Sequence, residues 1–79
     1  MMYLEIITPE KLLFEGEISL VKLPGVSGSF EIMTNHAPII STLTQGKIKV
    51  KAANELVSYF EIKGGLVEVS NNKVKVLVE

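Results

Sequence analysis

The segment Lys47-Ile48-Lys49-Val50-Lys51-Ala52 alternates a polar or charged side chain with an aliphatic one at every step. Successive side chains of a strand point to opposite faces, so a period of two puts Ile48, Val50 and Ala52 on one face and the lysines on the other. A helix would scatter both sets around its circumference. Val74, Val76 and Val78 repeat the pattern against Lys73 and Lys75. The Asn71-Asn72 pair before them tolerates the positive φ angles of a tight hairpin turn, so Leu66 to Ser70 is expected to pair with Lys73 to Val78.

Tyr3 to Thr8, Leu12 to Phe14, Glu17 to Leu23 and Leu56 to Ile62 are further β-rich runs, and Ser29 to Ile32 and Ile39 to Leu43 are expected to supply additional strands. Pro9, Gly16, Pro24-Gly25, Gly28, Gly46 and Gly64-Gly65 punctuate them. The spacing predicts an all-β chain, a flattened antiparallel β-sandwich, with no helix, linker or internal repeat, in one domain over residues 1–79. Ile48, Val50, Val74, Val76 and one of Tyr59 or Phe60 are expected to face inward. Glu17 to Leu23 lacks clean alternation because Leu20, Val21 and Leu23 cover both faces, so it is expected to be central or covered by a partner. Met33 is expected to make a local core contact, and Gly64-Gly65 to mark a bend or a close approach of backbones rather than a phosphate cradle.

Missing residue types narrow the chemistry. The chain has no Cys, Arg, Asp or Trp, and His36 is its single histidine. Disulfides, thiolate metal sites, a cysteine nucleophile, a two-histidine zinc motif and a Ser-His-Asp triad are therefore unavailable, and no guanidinium fork can grip phosphate. A net charge of −1 gives no attraction toward nucleic acid or anionic lipid. No apolar run reaches the 18 or so residues of a spanning helix, and the first residues lack the basic start of a signal peptide. The expectation is no catalysis, no cofactor, no metal, no small-molecule substrate, no nucleic acid and no direct membrane insertion. With hydrophobic residues at 47% in so short a chain, apolar surface should remain for a partner.

The longest apparent loop, Leu23 to Ile40, holds Pro24-Gly25, Gly28, Ile32, His36-Ala37-Pro38 and Ile39-Ile40. In this order they resemble the β-sandwich domain of the epsilon subunit of the rotary F-type ATP synthase. The opening Leu4-Glu5-Ile6-Ile7-Thr8-Pro9 and the segment Tyr59-Phe60-Glu61-Ile62-Lys63-Gly64-Gly65-Leu66 extend the resemblance over nearly the whole chain. The sequence departs from it where Gly28-Ser29-Phe30-Glu31-Ile32 replaces a frequent Gly-Glu-Leu-Gly-Ile, which moves the acidic side chain by two positions.

The resemblance implies about ten short strands and a noncatalytic rotor part of the central stalk. Such a part clamps the gamma shaft to the ring of c subunits and couples ion translocation to ATP synthesis. It implies a peripheral position in the F1 sector, on the cytoplasmic face of a bacterial inner membrane. Ser29, Glu31, Asn35 and His36 become the candidate contacts to the polar loops of the c ring, in a loop at one end of the sandwich. His36 has a second reading, as a loop histidine bonded to a backbone carbonyl, and Glu31 as a solvated carboxylate. The lysines at 47, 49 and 51 are expected to form a solvated face. Family members can carry a C-terminal helical pair that inhibits ATP hydrolysis; a chain ending at Glu79 is expected to lack that arm. A free-standing sandwich that binds peptide or glycan is the alternative, and would need an exposed aromatic platform.

Overall fold

The computed structural model describes residues 1–79 and contains eight strands and no helix. They are β1 (Met2–Ile7), β2 (Leu12–Gly25), β3 (Gly28–Met33), β4 (Ile39–Leu43), β5 (Gly46–Ala52), β6 (Val57–Ile62), β7 (Gly65–Ser70) and β8 (Lys73–Val78). Hydrogen bonds run continuously in the order β1-β8-β7-β4-β2-β5-β6, with β3 also on β2 and β1 returning to β2. The sheet therefore folds back on itself. One layer is β4-β7-β8-β1 with the first half of β2, and the other is β3, the second half of β2, β5 and β6.

Alternation decides what lies between the layers. Val74, Val76 and Val78, Ile48 and Val50, and Val67 and Val69 all turn inward, and with Met2, Leu4 and Ile6 of β1 they belong to a single buried cluster. Each fully buried aliphatic side chain stabilises the fold by about 1.5–3 kcal/mol relative to exposure. No polar or charged residue is buried. Phe60 packs against this core and meets Phe14 edge-on, with ring centroids 5.9 Å apart, whereas Tyr59 is 61% exposed. That assigns the inward and outward members of the aromatic pair.

Several expectations are corrected. There are eight strands rather than about ten, because Leu12 to Phe14 and Glu17 to Leu23 belong to one 14-residue strand that runs on through Pro24 and Gly25. The turn lies beyond the Pro-Gly pair, at Val26-Ser27. Held straight, so long a strand would reach roughly 45 Å, well beyond the 27 Å longest dimension of the molecule. It bends at an irregularity between Ile18 and Leu20, where Ser19 has no partner on β5. This bulge reverses the inside–outside order, so Ile18 and Val21 both point inward, and the apparent failure of alternation there is explained. Ser19 donates its hydroxyl to the Lys51 carbonyl at 3.3 Å, which ties the bend to β5.

The sandwich is also not wholly antiparallel. β1 runs parallel to β8, Leu4 beside Val74 and Ile6 beside Val76, and antiparallel to β2 on its other edge. Met33, expected in a local core contact, is instead 54% exposed on the outward face of β3. Lys49 and Lys51 are half-buried, and only Lys47 of that stripe is exposed. The Lys51 ammonium lies 3.3 Å from the Glu55 carboxylate in a surface ion pair.

Candidate functional site

The stretch Ser29 to His36 is a strand followed by a turn, not a single loop. Ser29 and Glu31 stand on the exposed side of β3, whose other side carries Phe30 and Ile32 into the core. Glu31 lies opposite Lys22 and Ser29 opposite Pro24 across the β2–β3 ladder. Asn35 and His36 belong to the connection between β3 and β4. The His36 amide donates to the Met33 carbonyl at 3.1 Å, closing a four-residue turn. Asn35, third in that turn, takes a φ of 68°, in the left-handed region that asparagine tolerates better than most residues.

His36 is half-buried, and its Nδ1 lies 2.7 Å from the Ala37 carbonyl oxygen. A carbonyl can only accept, so Nδ1 carries the proton and Nε2 of the neutral ring keeps its lone pair. The bond to a backbone carbonyl is thus present, and it leaves the second ring nitrogen without a partner inside the chain. Thus β3 lines up Ser29 and Glu31 along one strand face, and the turn beyond the strand holds Asn35 and His36.

Two features could not be read from local sequence. Asn35 is held by Asn72 of the β7–β8 turn, with hydrogen bonds in both directions. An apolar row also crosses the outer face of the first layer, where Ile7 of β1 stands beside Leu77 of β8, which stands beside Leu66 of β7. Leu12 faces Ile7 from β2. Leu12, Leu66 and Leu77 are exposed, and so is Ile40 on β4, at 69%. Registration of period-two positions across four strands builds this row; the signal in the sequence is the set of aliphatics on the polar side of otherwise alternating strands.

On the same face the neighbouring Glu15 carboxylate as an acceptor, followed by partial burial and the charges of Glu15 and Glu5, pushes the Tyr3 phenol up to about 12. The folded value lies above the ordinary value near 10, so the associated stability is intact below pH 10 and is lost as the pH rises from there toward 12. An ultraviolet absorbance titration of a Tyr59→Phe variant, which leaves Tyr3 as the only tyrosine, should give a midpoint near 12. Adding Glu15→Gln should bring it back toward 10, and an unmoved midpoint would contradict the assignment.

In class, then, this is a small two-layer β-sandwich whose distinctive groups lie on sheet faces and turns rather than in a buried cleft. Residues 1–79 match the model of the ATP synthase Delta/Epsilon chain β-sandwich domain, and the chain belongs to that family. It is 43% identical over 76 residues to the ATP synthase epsilon chain of Chlorobium limicola, covering 96% of this chain and 86% of the relative. It is 42% identical over 76 residues to that of Maridesulfovibrio salexigens, of which it covers 53%. Among solved structures, the Tetrahymena thermophila mitochondrial ATP synthase central stalk and c ring contains a chain with a TM-score of 0.82 and 26% identity. The match covers 98% of this chain and 62% of that one. The Euglena gracilis mitochondrial ATP synthase, in a structure of OSCP, F1 and c ring, contains a chain with a TM-score of 0.91 at 15% identity, which speaks for the fold. There the match covers 98% of this chain and 49% of that one.

Proposed function

We propose that the chain is the epsilon-type rotor component of an F-type ATP synthase, a noncatalytic part that joins the gamma shaft to the c ring and couples ion translocation to ATP synthesis. The observation that carries the reading is the coincidence of family membership with two differently built surfaces on one rigid sandwich. Gamma docks on the outer face of the first layer, where the row of Ile7, Leu66 and Leu77 supplies an apolar centre and Tyr3, Glu5, Lys73 and Lys75 a polar rim. The c ring meets Ser29 and Glu31 on β3 and the turn of Asn35 and His36, with Nε2 of His36 available to accept a hydrogen bond. The place of work is peripheral, in the F1 sector at the membrane surface. A wholly buried aliphatic core suits this task, since a sheet that carries torque must not deform.

The two surfaces can be separated by experiment. Glu31→Ala combined with His36→Ala should leave co-elution with gamma intact on size exclusion and lower the ratio of ions pumped to ATP hydrolysed in a rebuilt complex. Single changes at such exposed contacts should do little. Leu66→Glu, which puts a charge in the apolar row, should abolish co-elution with gamma. Loss of gamma binding in the Glu31 and His36 double variant would refute the division of surfaces. Failure of the unmodified chain to bind gamma at all would favour a free-standing adaptor.

A further inference from the structure

We infer that Asn72 is a positioning residue for the His36 turn, acting through a reciprocal latch with Asn35. The inference rests on the reading of that turn as a contact surface, but the latch itself is a matter of geometry. The Asn35 backbone amide donates to Oδ1 of Asn72 at 2.6 Å, and Nδ2 of Asn72 donates back to Oδ1 of Asn35 at 3.2 Å. The two residues stand 37 positions apart in the chain, so these bonds join the β3–β4 connection to the β7–β8 turn. The Asn72 carbonyl also accepts the Tyr3 amide at 2.9 Å, which fixes the same turn to the start of β1.

The choice of residue fits the task at both ends. Asn35 and Asn72 have φ values of 68° and 60°, and Asn71 has 51°. Glycine would be the least strained residue at each of these positions, but it has no side chain with which to bridge. Asparagine tolerates the left-handed conformation and carries a donor and an acceptor on one short amide, the minimum for bonds in both directions. Asn71 has the same backbone conformation one residue earlier, is exposed and makes no side-chain hydrogen bond. It serves as an internal control. Asn72 engages the backbone amide and the Oδ1 of Asn35, which leaves the Asn35 Nδ2 for the ring contact.

Without the latch, the connection from Thr34 to Pro38 keeps only the turn bond from His36 back to Met33 at the end of β3 and the bond from the imidazole to Ala37. No hydrogen bond would then tie the loop to the β7–β8 turn across from it. Asn72 thereby sets where the free nitrogen of His36 sits relative to β3.

Asn72→Gly tests this directly, because glycine keeps the positive φ and the backbone bond to Tyr3 while deleting only the side-chain amide. In the full chain labelled for nuclear magnetic resonance, the Asn35 amide proton should shift upfield and exchange roughly ten-fold faster, in line with the loss of two hydrogen bonds. Asn71→Gly should leave both unchanged. Asn35→Gly, which removes one of the two bonds and keeps its own amide bonded to Oδ1, should give a smaller effect. In the rebuilt rotor complex, Asn72→Gly should lower the coupling ratio with gamma still bound, and Asn71→Gly should not. An Asn35 amide that is indifferent to Asn72→Gly would overturn the latch. Faster exchange with unchanged coupling, where the Glu31 and His36 double variant does lose coupling, would overturn the positioning role. Faster exchange with coupling unchanged in every variant would uphold the latch and sink the reading of the loop as a ring contact.

Discussion

Gly65→Ala is expected to destabilise the domain by about 3 kcal/mol or more, while Gly64→Ala, one residue away, is expected to be tolerated. A methyl group on Gly65 would overlap the Leu77 carbonyl oxygen and lie 3.1 Å from the Val78 Cα, both parts of the β8 backbone. Backbone cannot swing aside as a long side chain can, so β7 and β8 must part at the end of their ladder, where Gly65 faces Val78. On Gly64 the same methyl would meet nothing closer than the Leu43 carbonyl at 3.5 Å, an ordinary contact. A domain of 79 residues has about 4–12 kcal/mol of stability in all. The first substitution should therefore lower the melting temperature by some 12–24 °C and the second by a few degrees at most. Thermal unfolding followed by far-ultraviolet circular dichroism measures both, and equal losses would show that the close approach of backbones is not the cause.

Ile18→Ala should cost a comparable amount, about 2–5 kcal/mol. Ile18 is fully buried at the point where β2 passes between the layers, opposite Met2 on one edge and Ala52 on the other. Truncation leaves a cavity at the bend, flanked by Ser19, whose hydroxyl is bonded to the Lys51 carbonyl. The site cannot collapse easily because the bulge fixes the backbone on both sides, which places the cost toward the upper end of the range. Urea titration should show the midpoint falling with the slope unchanged. A loss below about 1 kcal/mol would mean that the bend relaxes to fill the space.

How far the sequence disclosed this structure depends on the kind of information involved. Alternation in Lys47 to Ala52 and Lys73 to Val78 reports which face each residue takes, and those faces are as expected. It does not report which strand lies alongside. The parallel pairing of β1 with β8 joins Tyr3 with Lys73 across 70 positions, and nothing local to either run signals it. β2 was hidden for another reason. Gly16 and Pro24 are punctuation in most contexts, and the bulge at Ser19 breaks the period at mid-strand, so one long element reads as two short ones. At the candidate site, the bond of His36 to a backbone carbonyl was legible, as was the turn at Asn71-Asn72, whereas the positive φ of Asn35 was not read. Nor was the meeting of the two turns, because a hydrogen bond between two turns depends on the whole topology between them. Met33 misled because a flexible apolar side chain beside a core strand is usually buried, whereas its place in the alternation of β3 turns it to solvent.

The parallel seam between β1 and β8 bears on how the molecule comes into being. As the chain leaves the ribosome, β1 can pair at once with β2 across a short connection, but its other edge waits for a strand made some 70 residues later. Until β8 emerges, β1 has one bare edge, and Leu4 and Ile6 lack the neighbours Val74 and Val76 that flank them in the finished sheet. Closure is then a late event between distant segments, which makes for slow folding and a period of exposed strand edge during synthesis. A nascent chain halted before Lys73 should remain sensitive to protease, and release of the last six-residue strand should bring protection to the whole domain in one step.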